Sequence, residues 1–144
     1  MNLKSYLEIA VSEADVDLIF TIKGSNTVFS GEMWDYGDPE SLEDFANRLI
    51  DYPKNEKILF FELGYKDSSL SYFSMKLYPA DSLSHIGVQI TMATETYRRP
   101  ENQCKIQFEM IVEPHAVDEF RKALHQIVRK RHGNAVLYGN DNRI

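Results

Sequence analysis

The 144-residue chain has one cysteine, Cys104. A single cysteine excludes an intrachain disulfide framework and any multi-cysteine zinc motif, and it fits a reducing compartment. The seven glycines are scattered, with no G-x-x-x-x-G-K and no G-x-G-x-x-G, so no phosphate-cradling loop is encoded. No serine stands in a G-x-S-x-G elbow. No apolar run approaches the ~18 residues of a membrane span. The opening "MNLKSYLEIAVSEAD" has one lysine and no apolar core of signal-peptide length. A cytoplasmic protein without membrane contact is expected. Base is also scarce over most of the chain: residues 1–113 hold 10 basic and 19 acidic side chains, whereas residues 114–144 hold 6 and 3. That balance argues against nucleic acid as the partner of the main body. The basic stretch "RKALHQIVRKRH" has none of the interleaved aromatics that a nucleic-acid surface would want.

At this length one domain, residues 1–144, is expected. It can bury roughly 70% of its unfolded surface and needs no metal or disulfide to fold. Aromatic residues make up 12% of the chain, which favours strands. Period-2 alternation marks seven of them, at 6–12, 15–23, 27–34, 57–65, 70–78, 85–94 and 104–112. The spacing places Val16, Leu18, Phe20 and Ile22 on one inward face, and Cys104, Ile106, Phe108, Met110 and Val112 on another. "KILFFELGY" is apolar on both faces and reads as a central strand. "KDSS" and "YRRPENQ" read as turns.

The period changes to that of a helix in "DPESLEDFANRLIDYP", where Leu42, Phe45, Ala46, Leu49 and Ile50 form one stripe. Asp38 and Pro39 suit the cap and first turn, with Ser41 and Asp44 as an alternative capping pair; Pro53 is the stop. A second stripe, Val117, Phe120, Leu124, Ile127 and Val128, follows Pro114 and ends towards Gly133. The tail "NAVLYGNDNRI" either adds a short strand or frays. The expected fold is α+β: a single curved antiparallel sheet of about seven strands in the order β-β-β-α-β-β-β-β-α, with both helices packed on one side.

No constellation in the sequence dictates a reaction. Cys104 reads as a packed small hydrophobe. His115 with Glu119, and His125 with His132, share helix faces but give only pairs of ligands, so no metal or other cofactor is expected. His85 is expected to turn its ring to a loop carbonyl. Glu62 is expected on the less covered face of its strand rather than as a buried acid. With no catalytic residue identified, the chain is expected not to be an enzyme.

The stretch "EMWDYGDPESLED" stands out. Glu40, Glu43 and Asp44 suit the positive end of a helix dipole. Asp35 and Asp38 beside Tyr36 and the sole tryptophan, Trp34, exceed that need. Acids with aromatics ahead of a helix are interface material. The candidate partner-binding set is Trp34, Asp35, Tyr36, Asp38, Glu40 and Glu43. The alternative is a capped helix with a solvated face, in which Trp34 belongs to the core.

The run Trp34–Tyr36, Pro39, Ser41, Leu42, Phe45, Ala46, Leu49, Tyr52 and Pro53, followed by "FFELG" (60–64) and "HIGVQI" (85–90), resembles the WapI-type immunity proteins. The likeness covers about residues 28–113. Those small bacterial cytosolic proteins neutralise a cognate polymorphic toxin, often a contact-delivered nuclease. The resemblance implies a non-catalytic binding protein whose partner is a toxin; it transfers no functional residues and sets no oligomeric state, and the acidic balance of the chain suits a basic partner. A competing reading is a small-molecule-binding module or enzyme using the concave face of the sheet, with polar groups among Tyr72, Tyr78 and His85. A third is a structural subunit held through its helix faces.

Overall fold

The computed structural model describes residues 4–66, 70–96 and 99–142. The elements are β1 (Tyr6–Glu13), β2 (Leu18–Ser25), β3 (Ser30–Gly37), α1 (Pro39–Arg48), β4 (Leu59–Gly64), β5 (Tyr72–Pro79), β6 (Ile86–Ala93), β7 (Lys105–Val112), α2 (Pro114–Lys130) and β8 (Gly133–Tyr138). Short 3-10 turns follow at Pro100–Asn102 and Asn140–Asn142. The fold is α+β, but the expected single seven-stranded sheet is replaced by two four-stranded antiparallel sheets, ordered β3-β2-β1-β8 and β4-β5-β6-β7. Two features of the chain account for the difference. Helix α1 separates β3 from β4, so the second meander starts afresh instead of extending the first. After α2 the tail returns as β8 beside β1, pairing Leu7 with Leu137 and Ile9 with Ala135.

Alternation decides what each strand buries. Leu7, Ile9 and Val11 of β1, and Leu18, Phe20 and Ile22 of β2, point inward. So do Phe73, Met75 and Leu77 of β5, and Ile86, Val88, Ile90 and Met92 of β6, as the sequence pattern indicates. These faces and both helix stripes share one core, in which each fully buried large side chain contributes roughly 1.5–3 kcal/mol. The sheets approach closely where β2 and β3 carry glycine: a Cβ on Gly24 would lie 2.9 Å from Met92 Cε, and one on Gly37 would lie 2.8 Å from Leu63 Cδ2.

The helices do not share one sheet. Helix α2 lies along β8 and against α1, while α1 reaches β4, where Phe45 stacks on Phe61 at 5.0 Å between centroids. The helices are tied by His125 Nε2 and Asn47 Oδ1, 2.8 Å apart.

Several local expectations are corrected. Strand β4 is an edge strand, and no described element covers its second apolar row: Phe60 is 45% exposed. Val16 is 82% exposed, since the β1–β2 hairpin closes between Ala14 N–H and Asp17 O at 3.1 Å and leaves Val16 in its turn. Cys104 is an exposed thiol; it pairs with Thr94 just beyond the ends of β7 and β6, where the cover of the core stops. Helix α1 ends at Arg48, before Pro53, and α2 ends through the left-handed Arg131, ahead of Gly133. Ile50 falls outside the buried stripe. The turns expected at 66–69 and 97–103 include residues 67–69 and 97–98, which lie outside the described residues.

Candidate functional site

Strand β3 has the expected length but lies three residues further along the chain, at Ser30–Gly37 instead of 27–34. It absorbs Trp34, Asp35 and Tyr36, which the sequence reading placed at a strand end and in an approach loop. Met33 is buried, whereas Trp34 and Tyr36 point outward and are 56% and 55% exposed. Trp34 is therefore not core. The two rings meet edge to face, centroids 5.6 Å apart, a geometry worth about 0.5–1.5 kcal/mol beyond area burial. Across the strand pair, Thr21 stands opposite Trp34 and Lys23 opposite Glu32, with Lys23 Nζ 3.6 Å from the Glu32 carboxylate.

Main-chain hydrogen bonding follows from the turn. Asn26 N–H bonds Phe29 O at 3.1 Å. Alternation from that pair places hydrogen-bonded pairs at Gly24–Gly31, Ile22–Met33 and Phe20–Asp35. Ser30, Glu32, Trp34 and Tyr36 thus direct their N–H and C=O groups away from β2. On that side β3 has no partner among the described strands.

A groove of about 880 Å³ follows this edge, with Glu32, Trp34, Asp35 and Tyr36 along one wall. The facing wall comes from the second sheet: Gly64, Tyr65, Leu70 and Ser71 around β4 and β5, and Thr94 and Glu95 after β6. Three acids, Glu32, Asp35 and Glu95, line the groove, and none of its described lining residues is basic. Asp35 links the walls. Its Oδ1 accepts the Tyr36 N–H at 2.7 Å, and its Oδ2 accepts the Ser71 hydroxyl at 3.0 Å. Gly64 sits against the same carboxylate at a φ of 82°, and a Cβ there would meet Ser71 O at 2.3 Å.

The structure splits the sequence-derived set. Trp34, Asp35 and Tyr36 line the groove; Asp38, Glu40 and Glu43 do not. Asp38 is the α1 N-cap, accepting Ser41 N–H at 2.9 Å and Ser41 Oγ–H at 2.8 Å. Partial burial works against its ionisation, but the Ser41 bonds outweigh that and hold its carboxyl below the usual range. Glu40 lies in the first helical turn, and Glu43 is on the exposed side. Two of the three acids that line the groove, Glu32 and Glu95, therefore lie outside the sequence-derived set.

The cap carries a prediction. Because the folded value of Asp38 is lowered, its contribution is present above about pH 4 and is lost as pH falls through the folded value. Asp38→Ala is expected to cost about 1 kcal/mol at neutral pH, with the gap closing in acid, while Asp38→Asn keeps most of the cap. Urea unfolding at pH 7 and pH 3 checks this; an Ala variant as stable as wild type at pH 7 would contradict it.

The residues of the concave-face reading are dispersed. The inner faces of both sheets are filled by core side chains. The Tyr72 hydroxyl donates to exposed Glu62 at 2.6 Å, and Tyr78 donates to Glu109. Burial, reinforced by Glu109, pushes the Tyr78 phenol up to about 12. His85 turns its Nδ1 to Asp81 at 2.6 Å rather than to a carbonyl, with Glu113 3.7 Å from Nε2. Tyr72 lines a second hollow of about 330 Å³, which Tyr78 and His85 do not reach. Among the described residues no group of three His, Cys, Asp or Glu side chains could hold a metal ion, and no helix is long and apolar enough to cross a membrane. No protein-family model matches the chain, and no curated protein matches it significantly.

Proposed function

We propose that the chain is a non-catalytic binding protein, an immunity protein that neutralises a cognate bacterial toxin by direct contact through the face around β3. The observation that carries this reading is the pairing of two half-exposed aromatics, Trp34 and Tyr36, with a groove whose charged lining among the described residues is acidic. Large aromatics that keep more than half their surface in water supply contact area at little cost in side-chain entropy, and they dominate interface energetics. Glu32 and Glu95 supply the field: a basic partner is drawn in faster and in the right orientation by opposite charge. The resemblance of residues 28–113 to WapI-type immunity proteins points the same way. A toxin acting on nucleic acid, with a basic active site, would meet complementary charge here.

The competing ligand reading keeps one supporting observation, the size of the groove. With the inner faces packed, a small molecule would bind beside β3 rather than on the concave side of a sheet.

The reading expects a large secreted toxin encoded immediately upstream of the chain's gene, and the test is co-production of the chain with that toxin's C-terminal domain. The expected result is restored growth of the toxin-producing host and a stable stoichiometric complex on gel filtration. Growth arrest unchanged by the chain, with no complex, would overturn the proposal.

A further inference from the structure

We infer that the open edge of β3 receives an extended basic segment of the partner as an added strand. This inference rests on the binding face proposed above and specifies how that face is used. Of the edge strands, β3 is the one that runs along the larger groove. Its Glu32 and Trp34 main-chain groups point away from β2 by the alternation set at Asn26–Phe29, and both residues line the groove. An unpaired row of N–H and C=O groups is a template for another strand. In strand addition the ladder supplies affinity, while side-chain sites on either face supply specificity.

The edge is closed at one end. Asp35 Oδ1 occupies the Tyr36 N–H, so the ladder spans Ser30 to Trp34 and stops at Tyr36. From Ser30 to Trp34 a strand advances about 13 Å, which sets the paired part of the incoming segment at about five residues. Charge decides its chemistry. Alternate side chains would fall beside Glu32 and the exposed Trp34 ring, where a lysine or arginine gains both a carboxylate and an aromatic face. The intervening side chains face the wall formed by Tyr65 and Leu70 and are apolar. Asp35 and Glu95 keep the groove unfavourable to an acidic strand.

The probe is the capped peptide Lys-Val-Lys-Val-Lys-Val-Lys, followed by fluorescence of Trp34, the only tryptophan. Two variants separate charge from backbone. Both Glu32→Gln and Glu32→Pro remove the carboxylate, but only proline removes the edge N–H. Proline is tolerated on an edge strand where that N–H faces outward, and circular dichroism verifies the fold. Saturable binding to wild type is expected, a few-fold weaker with Glu32→Gln and roughly tenfold weaker again with Glu32→Pro, as for the loss of a ladder hydrogen bond. N-methylation of alternate peptide amides is expected to have the same effect as the proline, and it decides the matter if Glu32→Pro does not fold. Equal binding by the Gln and Pro variants, equal binding of methylated and parent peptides, or no binding at all would overturn the inference. A peptide that binds through charge while ignoring both backbone changes removes strand addition and leaves the acidic, aromatic face standing. Protection by the chain without any change at Trp34 on toxin binding would remove the face itself.

Discussion

Phe120→Ala is expected to lower the unfolding free energy by about 3–5 kcal/mol, the range for deleting a fully buried phenylalanine. Phe120 has no exposed surface and lies in the buried stripe of α2 with Val117, Leu124 and Ile127. That stripe faces the core shared by both sheets, so the cavity left behind is enclosed on every side and can collapse only in part. Phe60→Ala is the matched control. Phe60 is on the outer row of edge strand β4 and keeps nearly half its surface in water, so its removal is expected to cost about 1 kcal/mol or less. Urea unfolding of the two variants measures the difference. A Phe120→Ala protein within 1 kcal/mol of wild type would contradict the two-sheet core described here.

Trp34→Ala is expected to weaken toxin binding by about 2 kcal/mol or more, roughly 30-fold in Kd, mainly through faster dissociation. The free protein should lose little stability, because more than half of the ring already faces water. That combination, large in binding and small in folding, separates a contact residue from a core residue. Tyr36→Ala also removes the edge-to-face contact with Trp34, so its effect on binding is expected to have the same sign. A Trp34→Ala complex that dissociates at the wild-type rate would show that the ring lies outside the interface.

Elements with clean periodicity were legible. The helix stripes around Phe45 and Phe120, and the inward faces of β5 and β6, follow directly from residue spacing. The division into two sheets was not legible, because pairing partners are chosen by tertiary packing and adjacent strands in sequence need not adjoin. The apolar Ile58 and Phe60 look like a buried second face for β4, yet no layer reaches them. Cys104 continues the inward rhythm of β7 but lies past the end of the sheet's cover. At the site, composition alone singled out Trp34, Asp35 and Tyr36. Ser71, Gly64 and Glu95 are distant in sequence, and no local signal joins them to β3. Nor does composition distinguish an acid that steers a partner from one engaged in the fold: Asp38 caps α1 and Asp35 holds Ser71.

This distinction determines where charge should be reversed. Glu32 and Glu95 line the groove without a capping or wall-bridging role, so Glu32→Lys/Glu95→Lys alters the field, and with it the exposed Lys23–Glu32 ion pair, while leaving both the helix cap and the Asp35 link in place. The direct measurement is the association rate of this double variant with the toxin domain, followed by stopped-flow fluorescence at low and moderate salt, with circular dichroism as the folding control. The account predicts wild-type association that is fast at low salt and falls steeply as screening shortens the reach of the charges. The variant should associate at least several-fold more slowly at low salt and show a nearly flat dependence. An association rate equal to wild type at low salt would contradict the claim that the acidic, aromatic face of β3 receives the partner.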